Sequence, residues 1–506
     1  MQMRTLPGSL QAAVAAVYEL VQRGALAEAE AACRQALALS SGRDPNVWTA
    51  LGVVLREQQR PAESEAAYRQ ALAVAPAHMP AHHNLGALLS SLERAEEALV
   101  ALERARALGL RAPELHINRG RTLAQLYRLD EAESAYLQAV ALEPGNASAQ
   151  SNLAALRYMR GDPKYARDMA AAAAAAPQDV RLQLSLADLQ RRAGDLPQAE
   201  TVLRELLKST SAPPIVRSAL GVVLRESGRL KEAEALAMEA AMAQPQDVSV
   251  IENLVAIELA LGRPEEALPF IRTQRLRQPH EQRWIAFEAT AARQLGDPLY
   301  QSLYDYERFV RVYELDPPAG WATMAELNAA LIRTLGARHL FTAHPLDQSL
   351  RNGSQTARSL TTERDPVIQG LLSAFEDPIR RYRAAIGSDA DHPMAARNRG
   401  AAHLRGCWSV ALRRDGFHVN HIHPQGWISS AYYVSVPEEV RDVSAKSGWI
   451  KFGEPRFAMP GVEAAHFVQP QPGRLVLFPS YMWHGTNAIR GAEERLTVAF
   501  DAVPDA

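Results

Sequence analysis

The 506-residue chain has only two cysteines, Cys33 and Cys407, far apart and outside any CxxC pair. Neither a disulfide framework nor a thiolate zinc site is therefore expected. Long apolar runs are missing too. The longest run of small apolar residues, 169–176, is far too short to span a bilayer. The opening Met1-Gln-Met-Arg-Thr-Leu-Pro-Gly lacks the basic and apolar regions of a secretory signal. No charge of one sign prevails: 55 basic residues stand against 57 acidic ones, a net charge of −2, which gives no global footprint for nucleic acid. With 47% hydrophobic and 22% charged residues the composition is that of ordinary globular proteins, which excludes a wholly disordered chain. The expectation is a soluble, cytoplasmic, multi-domain protein that engages neither nucleic acid nor membrane.

What is present is repetition. Leu51-Gly52 recurs as Leu85-Gly86, Arg119-Gly120 and Leu153-Ala154, each step 34 residues, and the series continues at Leu186-Ala187, Leu220-Gly221 and Leu254-Val255. Ala98, Ala132, Ala166, Ala199, Ala233 and Ala267 run in phase with it, and Pro76, Pro144, Pro177, Pro245 and Pro279 close units. Small residues at fixed points let paired helices approach, and proline ends each unit because it cannot continue a helix. Trp48, Leu51, Gly52, Tyr68, Ala71 and Pro76 stand at the offsets of a tetratricopeptide repeat. That resemblance covers about residues 10–280 and implies an α-solenoid with a concave face open to a peptide or protein. Asn84, Asn118, Asn152 and Asn253 recur just before the small-residue marker. Their spacing resembles the asparagine ladder of protein O-GlcNAc transferases, in which amides grip a peptide backbone. The simpler reading is that each amide bonds within its own unit.

After Pro279 the signature fades, with Trp284 to Leu295 as one further, capping helix. Strand-like runs then appear: Phe309-Val-Arg-Val-Tyr, Trp408-Ser-Val-Ala-Leu, Ile428 to Val436, Trp449-Ile-Lys-Phe, Arg474 to Phe478 and Leu496 to Phe500. Helical stretches are expected at about 321–336 and 366–386. The fold class is multi-domain α plus β: a repeat solenoid over 1–297, then a sandwich or jelly roll with a helical lead-in over 298–506.

Within the β part, His421-Ile-His423 is an HxH pair read as lying in a strand, where residues i and i+2 share a face. His484 follows a later strand. Three imidazoles with open positions suit a divalent transition metal. Arg495 and Thr497 alternate onto one strand face, Leu496 and Val498 onto the other. A guanidinium aimed into a barrel calls for an anion, and a carboxylate matches its fork. The alternative pair His418-Val-Asn420 is disfavoured because Pro424 follows His423 directly. His339, His344, His392, His403 and His466 read as ordinary hydrogen-bonded histidines, and Trp427, Tyr432, Tyr433 and Trp483 as core or pocket wall. The polar run containing Gln348, Arg351 and Gln355 is open to two readings, a substrate contact over the metal or a plain surface loop.

The runs His421-Ile-His-Pro, Ser429-Ser-Ala-Tyr-Tyr-Val, Gly473-Arg-Leu-Val-Leu-Phe-Pro-Ser-Tyr-Met-Trp-His484 and Glu494-Arg-Leu-Thr-Val-Ala-Phe-Asp resemble bacterial iron(II)/2-oxoglutarate oxygenases, relatives of prolyl hydroxylases. The resemblance implies a double-stranded β-helix in which His421 and His484 bind Fe(II). It also implies that Arg495 pairs with the distal carboxylate of 2-oxoglutarate and that Thr497 supports that pair. The implied reaction consumes molecular oxygen, decarboxylates 2-oxoglutarate to succinate and oxidises a second substrate. The sequence departs from the usual two-His-one-carboxylate set: His423 either completes the metal site or leaves a position open, as in halogenases and aspartyl/asparaginyl β-hydroxylases. Two other readings stand beside it. A cupin-like metalloenzyme would use the HxH pair and His484 with Asn487 nearby, although positions 424–429 offer no Glu. A non-catalytic repeat scaffold would need neither metal nor keto-acid.

Overall fold

The computed structural model describes residues 10–208 and 212–505. The chain divides into two compact units, 1–153 and 154–506, the division falling inside the helix Ala147–Met159.

The first unit consists of antiparallel helix pairs, beginning Leu10–Gln22 with Leu26–Leu39 and ending Pro113–Gln125 with Leu129–Leu142. The 34-residue marker has a direct steric cause. A Cβ at Gly52 would meet the Tyr68 ring at 2.4 Å, and one at Gly120 would meet Tyr136 at 2.5 Å. In these two pairs the second helix thus lays an aromatic ring against the backbone of the first, and at Gly86 the Leu102 side chain takes that place at 2.6 Å. Pro45, Pro61 and Pro113 open helices at positions where a missing N–H costs nothing. Pro76 and Pro144 follow the residues that end them.

The second unit continues the pattern with helices from Arg167–Ala175 and Val180–Arg192 through Pro264–Arg277, and closes it with Gln282–Leu295, the expected cap. The chain then forms β1 (Arg311–Glu314), β2 (Leu350–Gln355), β3 (Ala402–His418), β4 (Ile428–Ser435), β5 (Ile450–Phe452), β6 (His466–Val468), β7 (Arg474–Pro479), β8 (His484–Thr486) and β9 (Arg495–Pro504). These make two antiparallel sheets, one ordered β1-β7-β4-β9-β3-β2 and the other β6-β5-β8. Two sequence expectations shift. Phe309 ends a short helical turn, so β1 begins at Arg311. The run around Gln348 is edge strand β2 from Leu350 onward, not a loop.

Strand alternation sorts the large sheet into two faces. Tyr432 points to the helix Met324–Gly336, where its hydroxyl donates to Asn328 Oδ1 at 2.7 Å. Phe500 packs on Phe375, between the helices Pro366–Ala374 and Glu376–Ile386. The opposite face carries Tyr433, Arg495, Thr497 and Asp501 toward a cavity. One apolar core runs from Ala187 in the helix array to Ala502 in β9. Trp483 ties the two parts: its Nε1 donates to Thr290 Oγ1 at 3.0 Å and its backbone N–H to the Tyr304 hydroxyl at 2.8 Å.

Candidate metal centre and its cavity

A cavity of about 790 Å³ opens in the second unit, lined by β-region residues and by three repeat helices. His421, His423 and His484 meet there, their ligand atoms all within 4.8 Å of one another. The HxH pair lies in an extended segment after β3 rather than inside a strand. Its one ladder contact is a two-way backbone bridge, His421 N–H to His484 O at 2.8 Å and His484 N–H to His421 O at 3.0 Å. That bridge brings the connector against β8, which pairs with β5 at Phe452. Gly485 makes the approach possible, since a Cβ there would meet Asn420 Oδ1 at 2.4 Å and the His418 carbonyl oxygen at 2.8 Å.

Each imidazole is oriented by its Nδ1. His421 Nδ1 lies 2.8 Å from the Val419 carbonyl oxygen, His484 Nδ1 2.9 Å from that of Met482, and His423 Nδ1 2.7 Å from the Asp501 carboxylate. All three partners only accept, so in the neutral form each Nδ1 carries the hydrogen and each Nε2 keeps its lone pair. The His421 and His423 Nε2 atoms are 3.2 Å apart. Neighbouring ligands of one ion at ~2.1 Å stand about 3 Å apart, so the pair has ligand spacing. Burial, then the charge of His423, pushes the His421 imidazole down to about 3. Burial and the two other imidazoles press His484 well below the ordinary range. Burial pulls His423 down as well, but the charge and hydrogen bond of Asp501 outweigh it and raise the group.

Asp501 escaped the sequence reading. It sits on β9, accepts from Ser429 Oγ at 2.7 Å as well as from His423, and is nearly buried. The available signal was alternation: Arg495, Thr497 and Asp501 are odd-numbered residues of one strand and share its inner face.

Arg495 is 2% exposed and has no carboxylate partner among the described residues. Its Nη1 donates to the Gly448 carbonyl oxygen at 2.5 Å, its guanidinium lies over the Tyr433 ring at 5.8 Å, and its Nε has no hydrogen-bond partner. Burial holds its basicity below the ordinary value. Thr497 Oγ1, two residues along, is also buried without a partner. A desolvated cation and a hydroxyl with unmet bonding capacity, side by side on a cavity wall, fit a carboxylate.

A family model described as "Putative 2OG-Fe(II) oxygenase" matches residues 406–501, and tetratricopeptide-repeat models match 49–109, 83–147 and 184–248. By these matches the chain joins tetratricopeptide repeats to a region similar to 2OG-Fe(II) oxygenases. No curated protein matches it. Among solved structures, a tetratricopeptide repeat protein from Parabacteroides merdae is 20% identical, with 49% of this chain and 98% of that one covered and a TM-score of 0.37. A thermophilic repeat protein of Thermus thermophilus is 24% identical, with 36% and 98% covered and a TM-score of 0.32. Yeast Tom70 is 15% identical, with 54% and 61% covered and a TM-score of 0.44.

The other site residues separate. Gln348, Arg351 and Gln355 line the cavity with the histidines. Asn253 is 4% exposed, its amide directed to the Ser218 carbonyl and to Arg225, which removes it from any open face. Asn152 bonds the Ser148 carbonyl within its own helix, and Asn118 bonds His83 and Arg121. Asn84 lies half-buried on its first helix. Asn487, the residue a cupin-like site would use, donates to the Lys446 carbonyl at 2.9 Å. His339 sits between the Ser354 and Ser409 hydroxyls, His392 against the Ser302 carbonyl and His403 against Asp505. No described helix is long and apolar enough to cross a membrane.

Proposed function

We propose that this protein is an iron(II)- and 2-oxoglutarate-dependent oxygenase that hydroxylates a peptide or protein presented by its repeat array. The observation that carries the reading is the meeting, in one cavity, of three converging Nε2 lone pairs with the anion-seeking pair Arg495 and Thr497. His421, His423 and His484 would hold the iron. Arg495 would take the distal carboxylate of the keto-acid with Thr497 beside it. The metal and keto-acid together would supply the oxygen-activating chemistry. The two antiparallel sheets around the cavity support reading the β region as a double-stranded β-helix.

The protein's own groups have assignable tasks. Val419 and Met482 hold their imidazoles in the metal-binding tautomer by backbone acceptors. Asp501 does the same for His423 and places a negative charge one residue away from the ligands. The carboxylate that such sites usually bind directly to iron is thus relocated behind a histidine. A repeat array suits a macromolecular substrate because such repeats generally mediate protein interactions.

The deciding experiment is anaerobic titration of the purified chain with Fe(II) and 2-oxoglutarate. A visible charge-transfer band of an iron–keto-acid chelate is expected. Iron binding without that band would favour a cupin-like metalloenzyme. Absence of iron binding would leave a scaffold.

A further inference from the structure

The cavity mouth has a charge pattern that metal and keto-acid leave unexplained. Six arginines line the cavity against three carboxylates, in a chain whose net charge is −2. Asp501 is held by His423, and Glu226 by Arg191 at 2.8 Å. Arg495 belongs with the keto-acid. Arg192 pairs with Asp188 at 2.7 Å and Arg283 with Glu252 at 2.8 Å, so Arg351 and Arg456 remain, with no ion pair among the described residues. Arg351 Nη1 donates only to the carbonyls of Gln348 and Leu350, at 2.8 and 2.7 Å. Burial, then the charge of Arg456, with Arg191 contributing less, keeps the Arg351 guanidinium below its ordinary basicity. The three arginines therefore repel one another across the opening. Asp347 also lines the cavity, and Glu226 offsets part of the repulsion felt by Arg351. Like charges held together stabilise the fold only when an anion joins them.

We propose that the mouth recognises an acidic peptide segment, whose Asp or Glu side chains flank the residue to be oxidised and pair with Arg351 and Arg456, beside an Arg191 already held by Asp188 and Glu226. Arginine forks match carboxylates in shape, and a side chain such as Arg191 of the helix Val180–Arg192 ties recognition to the array as well as to the β region. The inference deepens the oxygenase reading and rests on it for its catalytic meaning.

The test is fluorescence anisotropy on the full chain, stripped of metal by chelator. Labelled peptides of one design carry Glu, Gln or Lys at the variable positions, and labelled oligothymidylate serves as a non-peptide polyanion. The Glu peptide is expected to bind about tenfold tighter than the Gln peptide, and to weaken with added salt. Arg351→Gln and Arg456→Gln should each lower Glu-peptide affinity by about tenfold and leave Gln-peptide affinity in place. Arg456 is an exposed side chain, so its variant keeps the fold and decides the matter if Arg351→Gln lowers the unfolding temperature. Equal affinity for Glu and Gln peptides overturns the proposal. So does oligothymidylate binding as tightly as the Glu peptide, or an unchanged Arg456→Gln. Because the assay uses neither iron nor 2-oxoglutarate, its failure is separable from failure of the anaerobic titration.

Discussion

Arg495 is the residue on which the keto-acid assignment turns. Its alanine variant removes the fork that meets a carboxylate in a desolvated setting, where such a contact amounts to about 2–5 kcal/mol. Arg495→Ala is expected to weaken 2-oxoglutarate binding by on the order of a hundredfold in calorimetric titration, with Arg495→Lys in between. Unaltered binding in Arg495→Ala would remove the assignment. Asp501 tests the metal side. Asp501→Asn keeps the shape but withdraws the negative charge behind His423, and outer partners of this kind contribute about 10- to 100-fold to metal affinity. The expected outcome is a loss of that size in Fe(II) affinity, and an unchanged affinity would make Asp501 a purely structural partner of Ser429.

At the scale of elements, the site depends on how closely the HxH connector lies against β8. Gly485→Ala would drive a Cβ into the His418 carbonyl, a backbone atom that cannot rotate away. Overpacking of this sort costs about 1–3 kcal/mol. The variant should unfold at lower denaturant and bind Fe(II) weakly, because the His421–His484 bridge is pulled apart. Wild-type metal affinity in Gly485→Ala would show that the bridge is not what sets the ligand spacing. The HxH spacing was legible from its i, i+2 alternation, yet the segment is not a ladder strand. The His421–His484 bridge, the His423 N–H to Ser480 carbonyl bond at 3.0 Å and the Nδ1 acceptors, rather than sheet pairing along its length, hold its extended form.

For the whole molecule, the apolar core crosses from the helix array into the β region, with Thr290, Phe287 and Trp483 at the crossing. A fragment spanning 154–506 is expected to unfold in one cooperative calorimetric transition, whereas 298–506 leaves Trp483 uncovered and should fail to do so. A cooperative 298–506 would show that the β region is independent. Acid sensitivity follows from buried imidazoles away from the metal. Burial, with Arg413 for His339 and Arg351 for His344, pushes each down to about 4 from 6.5. The unfolded chain therefore binds more protons between those values. The stability these groups contribute is complete above about pH 6.5 and is lost as pH falls toward 4, at up to about 1.4 kcal/mol per unit for each. Urea midpoints measured across that window should fall with acid, and His339→Asn should flatten the slope; an unflattened slope would place the sensitivity elsewhere.

The amino-acid sequence by itself determined what repeats at short range. The 34-residue steric marker, the proline stops, and the alternation that aligns His421 with His423 and Arg495 with Thr497 all follow from the periods of helix and strand. Only the tertiary structure decided what comes from residues far apart: the Asp501 carboxylate behind His423, the burial that withdraws Asn253, and the facing of Arg191 by Arg351 and Arg456. A period constrains neighbours along the chain, but partners 28 positions apart, as Arg225 and Asn253, or 78, as His423 and Asp501, meet through helix packing and sheet register, which no local pattern encodes.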